Sequence, residues 1–228
     1  MNVASGTLKP DQVRTMFDRI APVYDRMNLL MTGGFDRRWR DATARRVVRP
    51  GDAVLDAACG TGDLALADLR AGAARVVGVD FSERMLERAA RKSSEIEWVQ
   101  GDLCKLPFAD GAFQAATIGF GLRNVADTEG ALRELRRVLA PGGRLGILEI
   151  TRARGPLAPF FRLWFDGLVP IAGKLLPGGS AYAYLPASVR RFPAPKELAA
   201  QIYRAGFVDI RYRLLAGGIM ALHVGVAA

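Results

Sequence analysis

Val54-Leu55-Asp56-Ala57-Ala58-Cys59-Gly60-Thr61-Gly62-Asp63 decides how this chain is read. An apolar run ends in an acid, the chain turns on two glycines, and a helix-forming segment opens at Asp63. Strand, glycine turn and helix start follow in that order, and the glycines let backbone approach a ligand where a Cβ would collide. Gly60-Thr61-Gly62-Asp63-Leu64-Ala65 also fits the dinucleotide fingerprint in its G-x-G-x-x-A form, so the turn alone does not name its ligand. The acids separate the candidates. A pyrophosphate is drawn to free N–H groups and the positive end of a helix dipole. Here Asp56 and Asp63 flank the loop, and two carboxylates repel a pyrophosphate and attract a cation. S-adenosyl-L-methionine carries an ammonium and a sulfonium and no phosphate, so the loop reads as its cradle. The plainer alternative makes Asp63 an N-cap and Asp56 a solvated strand end.

Outward from that turn, the chain alternates. Strands are expected at 53–58, 75–80, 97–101, 113–119 and 144–150, with helices at 63–71, 82–91 and 128–139, the last ending at Pro141-Gly142-Gly143. That rhythm specifies an α/β fold with a doubly wound, mostly parallel sheet. A helix at 196–205 and a hairpin of strands 207–213 and 219–226 around Ala216-Gly217-Gly218 close it. Residues 1–50 are helical in pattern: Val13, Met16, Phe17 and Ile20 recur at helical spacing, Pro22 breaks the run, and Gly33-Gly34 turns the chain. This N-terminal cap either covers the ligand mouth or pads the sheet edge. The chain is thus one domain: the cap (1–50), a cosubstrate-binding core (51–150), an insertion (151–194), and a C-terminal helix and hairpin (195–228). Within the insertion, 156–177 is apolar and aromatic yet punctuated by Arg162, Asp166 and Lys174. It reads as a substrate lid, an interfacial anchor or a buried helix.

Composition excludes several classes. The 228 residues are half apolar and 24% charged, as in a soluble globular protein. The net charge of +9 is scattered in small arginine clusters, with no basic run and no repeat of stacking aromatics, so nucleic acid is not a partner. A solvated basic surface and attraction to an anionic membrane account for the charge equally well. Two cysteines and one histidine, Cys59, Cys104 and His223, lack metal-ligand spacing, and no metal is expected. The N-terminus carries no signal-peptide apolar region, and no uninterrupted apolar run reaches membrane-spanning length. The expected compartment is the cytoplasm, at the inner face of the membrane where the protein contacts it.

Further along, more acids fall at strand ends. Asp80, followed by Phe81, ends the second strand, where an acid receives a ribose diol. Asp102 ends the third, and with Leu103 it makes an adenine pair: a carboxylate for the exocyclic amine and an apolar wall. After the fourth strand, Ile118-Gly119-Phe120-Gly121-Leu122-Arg123-Asn124-Val125 brings two glycines, then Arg and Asn, beside the cosubstrate methyl. Alternatively, Arg123 is an ion-pair partner and Asn124 caps the helix beyond Asp127.

These motifs resemble those of the quinone-biosynthesis C-methyltransferases, which methylate demethylmenaquinol and, in some members, the ubiquinone precursor. The blocks similar to the family are Tyr24–Asn28 continued through Met31 to Trp39, Gly119–Val125, Arg137–Glu149, Tyr182–Leu185 with Ser188-Val189, and Gly217–Ile219 with Ala221–His223. The resemblance implies a class I methyltransferase. Thr61, Asp80, Asp102 and Leu103 then stand where the family binds S-adenosyl-L-methionine, joined by Asp56, Gly60, Gly62, Phe81 and Gly119. Arg123, Asn124 and Tyr184 are the expected catalytic residues, with Tyr24 a weaker substrate contact. A prenylated quinol is the expected partner, with transient membrane contact, and a homodimer is left open. This chain departs from the pattern at Asp36, where many relatives have His. It departs again at Gly119, where some have Ser, and at Asp102, where some have Asn. Three rivals remain: another small-molecule methyltransferase, a nicotinamide oxidoreductase and a non-catalytic binding protein.

Overall fold

Strand β1 (Ala53–Ala57) alternates its side chains between two buried layers: Leu55 and Ala57 enter one apolar cluster, Val54 another, and Asp56 shares Val54's face. The same parity holds in β2 (Arg75–Asp80), where Val77 and Val79 join the first layer and Val76 the second. A strand apolar on both faces needs helices on both. The computed structural model describes residues 9–152, Gly167 and 179–228. Most of the expected insertion, including 156–177, lies outside the described residues.

Seven strands form one sheet in the order β3-β2-β1-β4-β5-β7-β6, completed by β3 (Glu97–Gln100), β4 (Phe113–Gly119), β5 (Leu139–Ile150), β6 (Phe207–Leu215) and β7 (Met220–Ala227). β1 to β5 pair in parallel; β7 pairs antiparallel with β6, as the hairpin predicts, and also antiparallel with β5. Helices α1 (Pro10–Ile20), α2 (Tyr24–Thr32) and α3 (Phe35–Val47) precede the sheet; α4 (Asp63–Arg70), α5 (Glu83–Lys92) and α6 (Thr128–Val138) cross between strands; α7 (Gly179–Arg191) and α8 (Pro195–Arg204) precede the hairpin. On one face Leu132 and Leu135 of α6 and Leu198 and Ile202 of α8 pack on Leu55, Phe113, Ile118 and Ile147. On the other, Val47 of α3 and Ala65 of α4 pack on Val54, Val76 and Ala115. Gly146 in β5 admits α3, because a Cβ there would lie 2.5 Å from Val47 Cγ2.

Two boundaries differ from the expectation. Leu139 belongs to β5, not to the helix: it pairs with Phe113, and the register then jumps to Ala115 opposite Arg144. The side chain of Leu139 is buried, and Pro141 cannot continue a helix, so the chain enters the sheet at once and 140–143 bulges out. Asp102 does not end β3, which stops at Gln100; it lies in the following turn, where its Oδ1 accepts from the Cys104 amide at 2.9 Å.

The sheet order reverses between β1 and β4, so the crevice at their carboxyl ends is a topological switch point. That is where the glycine turn and the 119–125 segment meet.

Candidate active site

A cavity of about 660 Å³ opens at this switch point. It is lined by Asp56, Gly60, Thr61, Asp80, Phe81, Asp102, Leu103, Gly119 and Asn124 among others. Gly62, expected beside them, instead supports the floor: its φ is +83°, and a Cβ would lie 2.4 Å from Trp98 Cη2. Pro10, Asp11, Arg14 and Phe17 of α1 and Tyr24 of α2 also line the cavity, so the N-terminal segment covers the mouth.

Asp56 is wholly buried, and neither carboxylate oxygen has a hydrogen-bond partner. It is therefore no solvated strand end. Burial, followed by the nearby Asp68 carboxylate, raises its pKa well above the usual range. The Ala65 amide, outside hydrogen-bond geometry, and Arg40 offset part of this. Asp68, on α4, is also fully buried; its Oδ2 accepts from Thr117 Oγ1 at 2.6 Å, and burial pushes its pKa to about 8. Asp80 ties the turn together. It accepts from the Gly60 amide at 2.8 Å and the Ser82 amide at 2.9 Å, while burial raises its pKa to about 6.

Asp63 does not cap α4. Gly62 occupies the cap, and Asp63 accepts from Lys92 Nζ at 2.6 Å. The same ammonium lies 3.0 Å from Asp25 and donates to Thr61 Oγ1 at 3.1 Å, while the Thr61 hydroxyl donates to Asp25 at 2.6 Å. The charge of Asp63 is thus met inside the chain, and of the two flanking acids only Asp56 stays unpartnered. Sequence reading missed this staple because Asp25, Thr61 and Lys92 lie on three separate elements.

A second, smaller cavity of about 130 Å³ lies alongside. It shares Phe17, Tyr24, Arg40, Phe120 and Asn124 with the first, and is otherwise lined largely by apolar side chains such as Met27, Met31, Trp39, Ile150 and Leu185. Its wall holds several buried polar atoms without a partner: Tyr184 Oη, Asn124 Oδ1, Arg123 Nε and Asn28 Nδ2. Buried polar groups are ordinarily paired, so an apolar slot with orphaned polar atoms fits an apolar ligand carrying a few polar groups. The three residues expected to be catalytic all line this slot.

Phe120 organises the slot. Its φ is +61°, a left-handed conformation unusual for a bulky side chain. Its carbonyl accepts from Asn124 Nδ2 at 3.3 Å and also from Arg123 Nη1. Arg123 Nη1 further reaches Glu149 at 3.0 Å, so the ion-pair alternative for Arg123 is realised, and the residue lines the slot as well. Asn124 caps no helix; Asp127 does, accepting from the Gly130 amide at 2.8 Å. Asp36, expected to depart from the family pattern, pairs with Arg40 and accepts from Thr32 Oγ1 at 2.9 Å. Arg40 also lies over the Phe120 ring, 5.1 Å from its centroid. Arg40, Phe120 and Glu149 escaped the sequence reading, because an arginine in a charged helix and a phenylalanine between glycines carry no signal of a special role.

Among the described residues, no cluster of His, Cys, Asp and Glu could hold a metal ion.

The chain resembles solved structures of the same fold. The (4+2)-cyclase SpnF superposes with a TM-score of 0.70 over 94% of each chain at 20% identity. A SAM-dependent methyltransferase from Thermotoga maritima does so with a TM-score of 0.69, over 95% of this chain and all of that one, at 21% identity. A cyclase and a methyltransferase on one architecture show that the fold does not choose the reaction. Sequence is more specific. The demethylmenaquinone methyltransferase of Thermus thermophilus is 48% identical over 92% of this chain and 99% of its own length. The ubiquinone/menaquinone biosynthesis C-methyltransferase UbiE of Syntrophotalea carbinolica is 44% identical over 95% of each. The profile of the ubiE/COQ5 methyltransferase family matches residues 5–227, and the chain belongs to that family.

Proposed function

We propose that this protein transfers the methyl group of S-adenosyl-L-methionine to a ring carbon of demethylmenaquinol, giving menaquinol. The observation that carries the reading is the pair of cavities with a common wall, one floored by an unpartnered carboxylate and the other apolar with orphaned polar atoms. A buried acid without a partner suits a cationic ligand, so Asp56 fits the ammonium and sulfonium of the cosubstrate. Asp80, with both oxygens already accepting one bond each, keeps lone pairs for the ribose diol. Asp102 and Leu103 take the adenine, Gly60 and Thr61 give the ligand close backbone, and Phe81 and Gly119 complete the wall. Gly119 offers no hydroxyl where some relatives supply one.

The bound cosubstrate supplies an electrophilic methyl, and the chain must make a ring carbon nucleophilic and hold it in line. An aromatic carbon becomes nucleophilic when a neighbouring hydroxyl ionises and pushes electron density into the ring. Arg123 favours that phenolate electrostatically; a guanidinium holds its proton too tightly to serve as a free base. Its pairing with Glu149 fixes its direction. Asn124 Oδ1 and Tyr184 Oη orient the quinol hydroxyls, and the shared wall of Phe17, Tyr24 and Phe120 keeps water out and sets the approach. Carbon–carbon bond formation expels the thioether, and the ring proton then leaves to restore aromaticity. The protein works in the cytoplasm against the inner face of the membrane; among the described residues no helix is long and apolar enough to cross one.

A second reading, a dual enzyme that also takes the ubiquinone precursor, is favoured by the name of the Syntrophotalea relative. Methyl transfer from labelled cosubstrate to reduced demethylmenaquinone and, in parallel, to the ubiquinone precursor separates the two. Label in the first product alone fixes the menaquinone role, and label in both makes the enzyme dual. Label in neither, despite tight cosubstrate binding, would overturn the acceptor assignment.

A further inference from the structure

The end of α2, the Gly33-Gly34 turn and the first turn of α3 form a tip whose apolar side chains face outward. Leu29 is 60% exposed, Leu30 64% and Phe35 52%. Three such side chains within positions 29–35 make a patch rather than isolated exposed residues. Arginines ring it: Arg26, Arg37 and Arg38 are all exposed, and Arg38 lies 5.4 Å from the Phe35 ring centroid. The acids of the same two helices turn away. Asp36 is buried against Arg40, Asp25 is held by Lys92 and Thr61, and Asp41 pairs with Arg70. The tip is therefore both apolar and cationic, and among the described residues α2 and α3 leave no unpaired carboxylate to oppose an anion.

Its position matters as much as its chemistry. Phe35 stacks on Trp39 with ring centroids 6.4 Å apart, and Trp39 lines the acceptor slot together with Met27, Asn28, Met31 and Thr32 of α2. The helices that carry the patch on their outer side thus form the wall of the slot on their inner side.

We propose that this tip docks on an anionic lipid bilayer, sinking Leu29, Leu30 and Phe35 below the headgroups while Arg26, Arg37 and Arg38 meet lipid phosphates. Apolar insertion combined with arginine–anion attraction is the pairing that holds interfacial helices at charged membranes. The proposal deepens the functional reading and rests on it for one point: a prenylated acceptor resides in the bilayer, so the slot has to open where the bilayer is. The occupant is a lipid surface rather than a second copy of the chain, because an arginine-ringed patch repels its own copy and is drawn to anionic headgroups.

The test is sedimentation of the full chain with vesicles of phosphatidylcholine, with and without phosphatidylglycerol, at low and high salt. Wild type binds the anionic vesicles, less so at high salt. The triple variant Leu29→Ser, Leu30→Ser, Phe35→Ser binds them at least about tenfold more weakly. The control Tyr212→Ser, Leu214→Ser, which removes exposed apolar side chains from the edge strand β6, binds like wild type. Methylation of a short-chain, water-soluble acceptor by the triple variant matches wild type, whereas methylation of the long-chain acceptor in vesicles falls with the binding. Three results would overturn docking: no binding by wild type, undiminished binding by the triple variant, or a wild-type dimer that the triple variant fails to form. No methylation of the soluble acceptor by any form, alongside vesicle binding as described, would instead sink the functional reading and leave the docking intact.

Discussion

Asp56 and Arg123 carry the same lesson with opposite signs. Each is a buried ionisable group at a strand end or turn, yet only one has its counter-ion inside the chain. Arg123 is neutralised by Glu149, so the catalytic role proposed for it is directional. Arg123→Lys keeps the charge and loses the rigid, planar guanidinium whose Nη1 is held between Glu149 and the Phe120 carbonyl. The expected result is a fall in kcat of about 10²-fold, the scale of losing one oriented donor, with the cosubstrate Kd unchanged. Undiminished turnover in a steady-state assay would remove Arg123 from the mechanism. Asp56, by contrast, waits for its counter-ion. Burial, and after it Asp68, push its carboxyl toward the protonated form, and a cation arriving beside it favours the carboxylate. Cosubstrate binding is therefore expected to be linked to proton release. Titration calorimetry in two buffers of different ionisation enthalpy reads this directly, and Asp56→Asn should weaken binding and abolish the buffer dependence. A binding heat that is the same in both buffers for the wild type would mean that Asp56 does not face the cation.

At the scale of elements, the doubly wound parallel sheet and the antiparallel hairpin are legible in the sequence, because each rests on local periodicity and on glycine or proline punctuation; the place of the reversal, between β1 and β4, is not. What stays illegible is where elements touch across the sequence. Lys92 ends α5, Asp25 opens α2 and Thr61 sits in the glycine turn; nothing in the spacing of the three announces that one ammonium joins them. Asp63 is the instructive case: it reads as half of a cation trap, and the cation proves to be the chain's own lysine. The same blindness covers Phe120, whose left-handed backbone follows from its place between β4 and the 122–124 turn and not from its residue type. The staple fastens the N-terminal cap to the cosubstrate loop, and its side chains are only partly exposed. Lys92→Met should leave Asp25 and Asp63 unpaired and loosen α2 over the cavity. A loss of about 1 kcal/mol, and so a rise of about fivefold in cosubstrate Kd, is the expected scale for such a network. Limited proteolysis should cut the first 50 residues faster in the variant, with the difference closing at saturating cosubstrate. Equal cleavage rates would mean that the cap is held by its apolar contacts alone.

For the whole molecule, the cost of this site appears as pH-dependent stability. Three acids, Asp56, Asp68 and Asp80, lie buried between the sheet and α4 or beneath the glycine turn, and burial raises all three. A carboxyl with a raised folded pKa binds its proton more tightly in the folded state, so its stabilising contribution is complete below about pH 4 and is lost as pH rises through the folded value. For Asp80 that loss is over by about pH 6, whereas for Asp68 it continues to about pH 8. The window from pH 7 to 8 lies above Asp80's transition, and the unfolded His223 imidazole, with a pKa of about 6.5, sheds only its last fraction of a proton there, a contribution of opposite sign on the order of 0.1 kcal/mol. Asp68 then contributes a destabilisation of about 1 kcal/mol as pH rises from 7 to 8, which is the difference between nearly full and half protonation in the folded state. Chemical denaturation of the ligand-free protein at the two pH values should show that slope. Asp68→Asn supplies a neutral side chain whose oxygen still accepts from Thr117 Oγ1, so it should flatten much of the slope and stabilise the protein at pH 8. The Asp68 carboxylate also raises Asp56, so at about pH 8 and above, where Asp68 ionises, Asp68→Asn lets the Asp56 carboxyl ionise more readily. At that pH, proton release on cosubstrate binding should therefore shrink in the same variant. A stable Asp68→Asn protein with an unchanged pH slope would place the titrating group elsewhere and break the link between the buried acids and the cosubstrate site.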